Sequence, residues 1–229
     1  MGRHRRGKRP EPRVSALTLL HTAASHAPRF AALLSELAPE VRAKHVVLDS
    51  LLASARERGG VDSALSAELT GVLKTLAEDA EVILCTCSTL GAAAEALGSA
   101  LGARVVRVDR PLARAAVARG RDIVVLAALQ STLAPTRELL EEEALKAGKT
   151  VRLELLEVEK AWAHFESGAQ QAYLQTIADA ADGASARAEV LVLAQASMFG
   201  AERLVRTSKP VLSSPRLGLQ AALTLLPAR

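Results

Sequence analysis

The sequence predicts an α/β protein with two lobes, each a small parallel β-sheet flanked by helices, and a cleft between the lobes. Two observations support this prediction. Short, almost wholly apolar runs alternate with Ala- and Leu-rich stretches of about 10–16 residues, a pattern that is typical of parallel strands covered by helices on both faces. The order of these runs also repeats after about 105 residues, which predicts two halves of similar architecture.

Length and composition indicate a folded protein with a core of its own. The chain has 229 residues, of which 49% are hydrophobic and 24% are charged, as in ordinary globular proteins. Aromatic residues make up only 2%, which disfavours proteins that stack single-stranded nucleic acid on aromatic side chains. No apolar run approaches the ~18 residues of a membrane-spanning helix, so we expect no membrane association.

The positive charge of the chain is concentrated at its N-terminus. Of the net charge of +4, residues 1–13 contribute +5, because six Arg and Lys side chains accompany the single acid Glu11, so the remaining residues carry −1. A surface that binds nucleic acid should belong to the folded part of a protein. Residues 1–13 are therefore predicted to be a disordered basic tail, and nucleic-acid binding is disfavoured except through that tail.

The N-terminus and the cysteines together indicate a cytoplasmic protein. The apolar stretch Val14–Leu20 after the basic tail is short for the h-region of a secretory signal, and His21 ends it. The two cysteines, Cys85 and Cys87, cannot build a disulfide framework, and their spacing suits a reduced compartment.

The strands and helices follow from the hydrophobic pattern along the chain. Eight apolar runs are the predicted strands: Val14–Leu20, His45–Leu48, Glu81–Cys85, Arg104–Val108, Asp122–Ala128, Val151–Val158, Glu189–Leu193 and Pro210–Ser213. The main predicted helices lie between them: Pro28–Leu37, Ser63–Glu78, Ala92–Leu101, Thr136–Ala147, Ala169–Ala180 and Phe199–Arg206. Strands separated by helices of this length pair in parallel.

The two halves of the chain align with each other strand by strand. Glu81–Leu90 aligns without gaps on Glu189–Met198, at an offset of 108 residues. The three other strands of the first half align in the same order at offsets of 109, 110 and 104 residues. This order indicates an internal duplication, and the alternative is chance similarity between apolar strands.

The duplication predicts the lobes and the position of a ligand site. Residues 14–108 with 215–229 would form the N-terminal lobe, and residues 109–214 the second lobe. Ligands of open parallel sheets bind beyond the carboxyl ends of the strands. Two such edges that face each other would form the cleft, with Cys87 opposite Gln195.

Cys87 lies where an apolar strand ends and an Ala-rich helix begins. The backbone N–H groups of Ser88, Thr89 and Leu90 would point out of the helix N-terminus, which suits a carboxylate or a phosphate. The same field is expected to lower the pKa of the Cys87 thiol. Cys85, inside the strand, is predicted to fill the core.

Motifs for metals and organic cofactors are missing from the sequence. No G-x-G-x-x-G follows a strand, and there is no P-loop and no G-x-S-x-G elbow. Cys85-Thr86-Cys87 lacks a second pair of metal ligands, because the spacing of His21 and His26 matches no tight ligand motif. We therefore predict neither a metal nor a cofactor.

Hydroxyl and amide side chains are frequent at the other strand ends. Several such groups at one edge suit a small, oxygen-rich anion, whereas each taken alone is explained equally well as a helix cap. They are Thr22, Gln130, Ser131, Thr132, Ser197, Ser213 and Ser214.

These features resemble the aspartate/glutamate racemase superfamily, which includes hydantoin racemases, maleate isomerase and arylmalonate decarboxylase. Cys87-Ser88-Thr89 after an apolar strand is similar to the Cys-Asn-Thr of the family, and Ala194-Gln195 occupies the place of its Gly-Cys. The resemblance extends over roughly residues 14–225. It implies a two-lobed fold, a small carboxylate substrate, no cofactor and a homodimer as an assembly.

The resemblance also implies cysteine-based catalysis. The racemases of the family use two cysteines, one on each face of the substrate's α-carbon. Cys87 matches the first of them, but Gln195 stands at the second, and an amide neither takes up nor donates a proton at useful rates near neutral pH. Two-thiol racemisation is therefore not expected. The decarboxylases of the family work with one cysteine, at the position opposite Cys87, and its isomerases use a cysteine as a nucleophile.

The sequence thus predicts a cofactor-independent, isomerase-type or lyase-type enzyme that acts on a small carboxylate, with Cys87 as its single catalytic cysteine. A non-catalytic carboxylate-binding protein of the same fold is the alternative. The predicted substrate-binding residues are Thr22, Ser88, Thr89, Thr132, Gln195 and Ser197.

Overall fold

Strands and helices alternate through residues 16–227, which the computed structural model describes. The predicted tail of residues 1–13 lies outside this range. The first half contains, in chain order, β1 (Leu17–His21), α1 (His26–Leu37), β2 (Ala43–Val47), α2 (Asp49–Glu57), α3 (Ser63–Asp79), β3 (Val82–Cys85), α4 (Ser88–Ala100) and β4 (Val105–Arg107). The second half contains α5 (Arg110–Arg119), β5 (Asp122–Ala127), α6 (Gln130–Lys146), β6 (Arg152–Glu157), α7 (Ala161–Glu166), α8 (Gln170–Ala184), β7 (Val190–Leu193), β8 (Val211–Ser213) and α9 (Ser214–Leu223).

The eight strands form two separate parallel sheets of four strands each. The strand order is β2-β1-β3-β4 in the first sheet and β6-β5-β7-β8 in the second, and every neighbouring pair is parallel. The predicted α/β fold with two sheets is therefore confirmed. The two orders are the same, as a duplication requires, and the duplication itself stays a prediction.

The central strands are apolar throughout because helices cover both faces of each sheet. Successive side chains of a strand point to opposite faces, and in β3 Ile83 and Cys85 pack in a cluster with α2, α3 and α4. Val82 and Leu84 point to the other face, where they pack with α1 and α9. The second sheet is arranged in the same way, with α5 and α6 on one face and α8 on the other.

The last helix, α9, returns to the first sheet. Leu219 and Ala222 of α9 lie in the same apolar cluster as Leu17 of β1. This approach is close at Gly218, where a Cβ atom would lie 2.4 Å from the carbonyl oxygen of Val108. The predicted boundaries between the lobes, at residues 108/109 and 214/215, stay a prediction.

The prediction of a helix at Phe199–Arg206 is wrong. The chain forms two short 3-10 turns there, Ala196–Met198 and Ala201–Arg203. Gly200 separates them with φ of +105°, a conformation that interrupts a helix. The helices predicted from the hydrophobic pattern also do not include α2, α5 and α7. None of the helices between residues 16 and 227 is long and apolar enough to span a bilayer.

Candidate functional site

A small cavity of about 30 Å³ lies between the lobes, next to the carboxyl ends of strands from both sheets. We call it the cleft cavity. All the site residues predicted from the sequence line it: Thr22, Cys87, Ser88, Thr89, Thr132, Gln195 and Ser197. The parallel sheets bring these distant residues together, because the carboxyl ends of parallel strands lie at one edge of each sheet. Their catalytic and binding roles stay predictions.

Other polar strand-end residues do not take part in the cavity. Gln130 is exposed, and neither it nor Ser131 is among the lining residues. Ser213 and Ser214 also lie elsewhere, and the Ser213 hydroxyl donates a hydrogen bond of 2.9 Å to the Glu202 carboxylate. Within residues 16–227, no cluster of His, Cys, Asp and Glu side chains is arranged to hold a metal ion.

Cys87 is the residue at which β3 turns into α4. It is the N-cap of α4, with an extended backbone, and it is 7% exposed. Burial raises the pKa of its thiol, while hydrogen bonds from the Thr22 hydroxyl and from the backbone N–H groups of Leu90 and Thr89 lower it by smaller amounts. The expected lowering of this pKa is therefore wrong, because burial of the sulfur outweighs the effect of the helix N-terminus. The resting thiol is neutral.

The two cysteines have different environments. Cys85 is fully buried in the core, as the sequence predicts, and its thiol points toward the carbonyl oxygen of Cys87 at 3.8 Å. Burial raises the pKa of Cys85 to about 12. Cys85 does not line the cleft cavity, so Cys87 is the thiol that a ligand can meet.

Gln195 forms the wall opposite Cys87, two residues beyond the end of β7. Its side-chain oxygen Oε1 accepts a hydrogen bond of 2.5 Å from the backbone N–H of Ala128. This bond orients the amide, so that its NH2 group is the part left to donate to a ligand.

Ser88 and Ser197 are held by contacts that cross the cleft or pack beside it. The Ser88 hydroxyl donates to the carbonyl oxygen of Ala194 at 2.8 Å, which joins the two lobes. The Ser197 hydroxyl lies 2.7 Å from the hydroxyl of buried Tyr173. Arg29 of α1 donates to the carbonyl oxygens of Ser197 and Ala196, at 2.9 and 3.1 Å. These contacts give the cavity walls a defined geometry.

An aromatic wall, formed by Trp162 and Phe165 of α7, completes the cavity and is missed by the sequence analysis. The two rings stack with centroids 4.7 Å apart. Arg56 of α2 lies 5.4 Å from the centre of the Trp162 ring and pairs with Glu166 at 3.5 Å. One feature of the sequence could have indicated this wall: the chain has few aromatic residues, and its single Trp follows soon after a predicted strand.

Histidine side chains form a second group in and beside the cleft cavity, which the strand-end pattern does not predict. The Thr86 hydroxyl donates to the carbonyl oxygen of Leu20 at 3.1 Å, so it accepts from His21 Nδ1 at 2.9 Å. His21 Nε2 then accepts from His45 Nδ1, also at 2.9 Å. This chain assigns the neutral Nδ1–H tautomer to His21 and places a proton on Nδ1 of His45. His26, in contrast, lines the cavity, and both of its ring nitrogens lack a hydrogen-bond partner.

The cleft cavity has no ionised side chain among its lining residues, all of which belong to the described part of the chain. Burial, together with the positive charge of Arg29, lowers the pKa of His26 to about 4, so its ring is neutral near pH 7. A ligand in this cavity would meet neutral hydrogen-bond donors, one neutral thiol and an aromatic wall.

The buried histidines predict a loss of stability in mild acid. Burial lowers the pKa of His21 to about 3 and that of His26 to about 4, from 6.5 in an unfolded chain. Between pH 6.5 and 4 the unfolded state therefore binds more protons, so stability falls as pH falls. From pH 7 to pH 5 we expect a loss of about 2 kcal/mol for each ring, measured as the free energy of unfolding in urea.

The variant His26→Leu provides the control for this loss. It removes one of the two most strongly shifted rings, so its loss of stability over the same pH interval should be smaller by about 2 kcal/mol, while His21 and the less strongly shifted His45 still contribute. Carboxylates contribute little in this window, because their unfolded pKa values lie near 4. An unchanged free energy of unfolding between pH 7 and 5 would contradict the burial of these rings.

Solved structures similar to this chain include amino-acid racemases and an arylmalonate decarboxylase. No protein-family model matches the chain, and no curated protein matches it. Glutamate racemase from Thermus thermophilus is similar with a TM-score of 0.66 and 19% identity, over 96% of this chain and 85% of that one. The Picrophilus torridus aspartate racemase has a TM-score of 0.66 and 12% identity, over 92% and 93% of the two chains. A mutant of arylmalonate decarboxylase has a TM-score of 0.58 and 17% identity, over 94% of each chain.

These similarities cover nearly the whole chain and nearly the whole of each neighbour, at identities that show the fold alone. The resemblance that Cys87-Ser88-Thr89 and the repeated strands indicate is therefore confirmed in the architecture. The chain has the two-lobed α/β fold of the glutamate and aspartate racemases to which it is similar.

Proposed function

We propose that the protein is a cofactor-independent enzyme that transfers a proton at the carbon atom next to the carboxylate of a small substrate, with Cys87 as the acid and base. The observation that supports this most directly is the position of the Cys87 sulfur. It lines the cleft cavity and receives hydrogen bonds from the Thr22 hydroxyl and from the first turn of α4. These donors would stabilise the thiolate that forms when the thiol gives up its proton.

The resting thiol is neutral, so Cys87 is the proton donor towards an enediolate, and it must first lose its proton to solvent before it can act as the base in α-hydrogen exchange. Its S–H bond breaks, and the electron pair of an enediolate forms a C–H bond at the α-carbon, which leaves a thiolate. In the reverse direction the thiolate takes the α-proton, and the C–H electron pair moves onto the carboxylate. Hydroxyl groups of Thr89 and Thr132 and the NH2 group of Gln195 would hold the carboxylate.

The walls of the cavity favour one class of carboxylate. Trp162 and Phe165 offer an apolar surface to a flat substituent, and no ionised side chain lines the cavity to pair with a second charge. We therefore expect a monocarboxylate with an aromatic or large apolar group to bind better than glutamate, which carries two further charged groups.

The test is hydrogen exchange at the α-carbon in D2O, followed by proton NMR, with phenylacetate, the two enantiomers of mandelate, and L-glutamate. Phenylacetate is expected to exchange. One enantiomer of mandelate should exchange with retention of configuration, because a thiol faces only one side of its α-carbon. Racemisation of mandelate would contradict the assignment of a single acid/base, and no exchange with any of the compounds would contradict the proposed function.

A non-catalytic carboxylate-binding protein is the second candidate, and Gln195 favours it, because an amide stands where racemases of the family have a thiol. Trp162 is the single tryptophan of the chain, so its fluorescence reports directly on the cavity. Phenylacetate that changes this fluorescence and shows no α-exchange would support the binding protein. A cytoplasmic location and a homodimer stay predictions.

A further inference from the structure

His26 is a buried imidazole with nothing to bind inside the protein. It is the first residue of α1, it is 7% exposed, and it lines the cleft cavity together with Cys87. Its ring contacts the rings of His21 and Phe30, with centroids 6.2 and 6.5 Å away. Neither Nδ1 nor Nε2 has a hydrogen-bond partner within residues 16–227. Buried polar groups are nearly always paired, so an unpaired ring beside a cavity indicates a ligand contact.

The lack of hydrogen-bond partners is particular to the His26 ring and is not shared by the neighbouring His21. His21 uses both of its ring nitrogens, one with Thr86 and one with His45, each at 2.9 Å. His21 is also fully buried and does not line the cavity. Among these three rings, His26 is therefore the one whose donor and acceptor remain available to a ligand.

We propose that His26 is a second catalytic group of the cleft cavity, which donates its ring N–H to the carboxylate oxygen that gains negative charge during proton transfer by Cys87. The inference rests on the proposed function. When the thiolate takes the α-proton, the C–H electron pair moves into the carboxylate, and one oxygen becomes more negative. The N–H of His26 stays on the ring and stabilises this oxygen. The α-proton on the Cys87 thiol exchanges with solvent, and in the reverse step Cys87 returns a solvent-derived proton to the carbon.

A neutral ring suits this role better than a charged one. Burial and the positive charge of Arg29 keep His26 neutral near pH 7, so its N–H is a donor that does not give its proton away to the enediolate. Neutral imidazoles with lowered pKa values polarise carbonyl oxygens in other enzymes in the same manner. A donor held in place before the reaction also needs no reorganisation when charge develops.

The experiment compares the wild-type protein with His26→Leu and His26→Gln, using phenylacetate in D2O. His26→Leu has no donor, and we expect its maximal exchange rate to fall about 100-fold. Its dissociation constant for phenylacetate, measured by Trp162 fluorescence, should change much less. His26→Gln keeps a side-chain N–H and should recover part of the rate. His45→Gln, outside the cavity, should keep the wild-type rate.

Thermal melting distinguishes this role from packing. Because the ring nitrogens are buried without partners, His26→Leu should melt at or above the wild-type temperature at pH 7 while it loses the rate. A His26→Leu variant that melts well below the wild type, with no recovery of rate in His26→Gln, would overturn the inference and assign the ring to packing.

The two proposals can fail separately. Exchange that is lost in Cys87→Ser but unchanged in His26→Leu would overturn the role of His26 and leave the proposed function intact. No exchange of phenylacetate by the wild-type protein would overturn both.

Discussion

Replacing Cys87 by serine is expected to lower the rate of α-hydrogen exchange on the order of 10³-fold. General acid–base catalysis contributes about 10²- to 10⁴-fold, and a serine hydroxyl is far less acidic than a thiol. The hydroxyl keeps the shape of the side chain and can still contact Thr22, so phenylacetate should bind with nearly unchanged affinity. Proton NMR in D2O measures the rate, and Trp162 fluorescence measures the binding.

Cys85→Ala is the matched control, because Cys85 lies two residues away and does not line the cleft cavity. This variant should lose some stability, since it leaves a space in the core, but it should keep the exchange rate. Equal rates in the wild type and in Cys87→Ser would remove Cys87 from the mechanism.

Replacing Arg107 by methionine is expected to destabilise the protein by about 3–5 kcal/mol. Arg107 at the end of β4 binds the Asp109 carboxylate through two hydrogen bonds, of 2.6 and 3.0 Å. Their side chains are only 3% and 2% exposed. Removal of the guanidinium would leave a carboxylate buried without its partner, which costs far more than the loss of a surface ion pair. Unfolding in urea at pH 7 measures the loss.

The double variant Arg107→Met/Asp109→Leu separates the value of the pair from the cost of breaking it. It replaces both charges with apolar side chains, so it should be much more stable than Arg107→Met alone. If Arg107→Met lowers the free energy of unfolding by less than about 1 kcal/mol, water screens the ion pair, as at an exposed site.

The alternation of strands and helices could be predicted because burial on both faces leaves a local signal. Val82 to Cys85 are apolar at every position, since α4 and its neighbours cover one face while α1 and α9 cover the other. The segment after β7 was wrongly predicted to be a helix. Its residues are apolar enough for a helix, but the positive φ at Gly200 depends on how the turn packs.

The site residues that directly follow strands could be predicted from the sequence. Cys87 and Gln195 stand two residues beyond β3 and β7, and the rule that parallel sheets bind ligands at this edge is sufficient to find them. His26 and Trp162 were missed, because one opens α1 after a loop and the other lies on a short helix that the hydrophobic pattern does not reveal. The pKa of Cys87 was predicted in the wrong direction, since the field of a helix can be inferred locally but burial cannot.

The sequence by itself determined the α/β class, the two sets of four strands and the residues at their carboxyl ends, because these depend on periodicity and on neighbours along the chain. The tertiary structure decided how the two lobes meet. Ser88 reaches Ala194, and Arg29 reaches Ser197, across 106 and 168 residues of chain. The tertiary structure also buries the Cys87 thiol and the His26 imidazole, and this burial keeps both groups neutral, which cannot be inferred from neighbours along the chain.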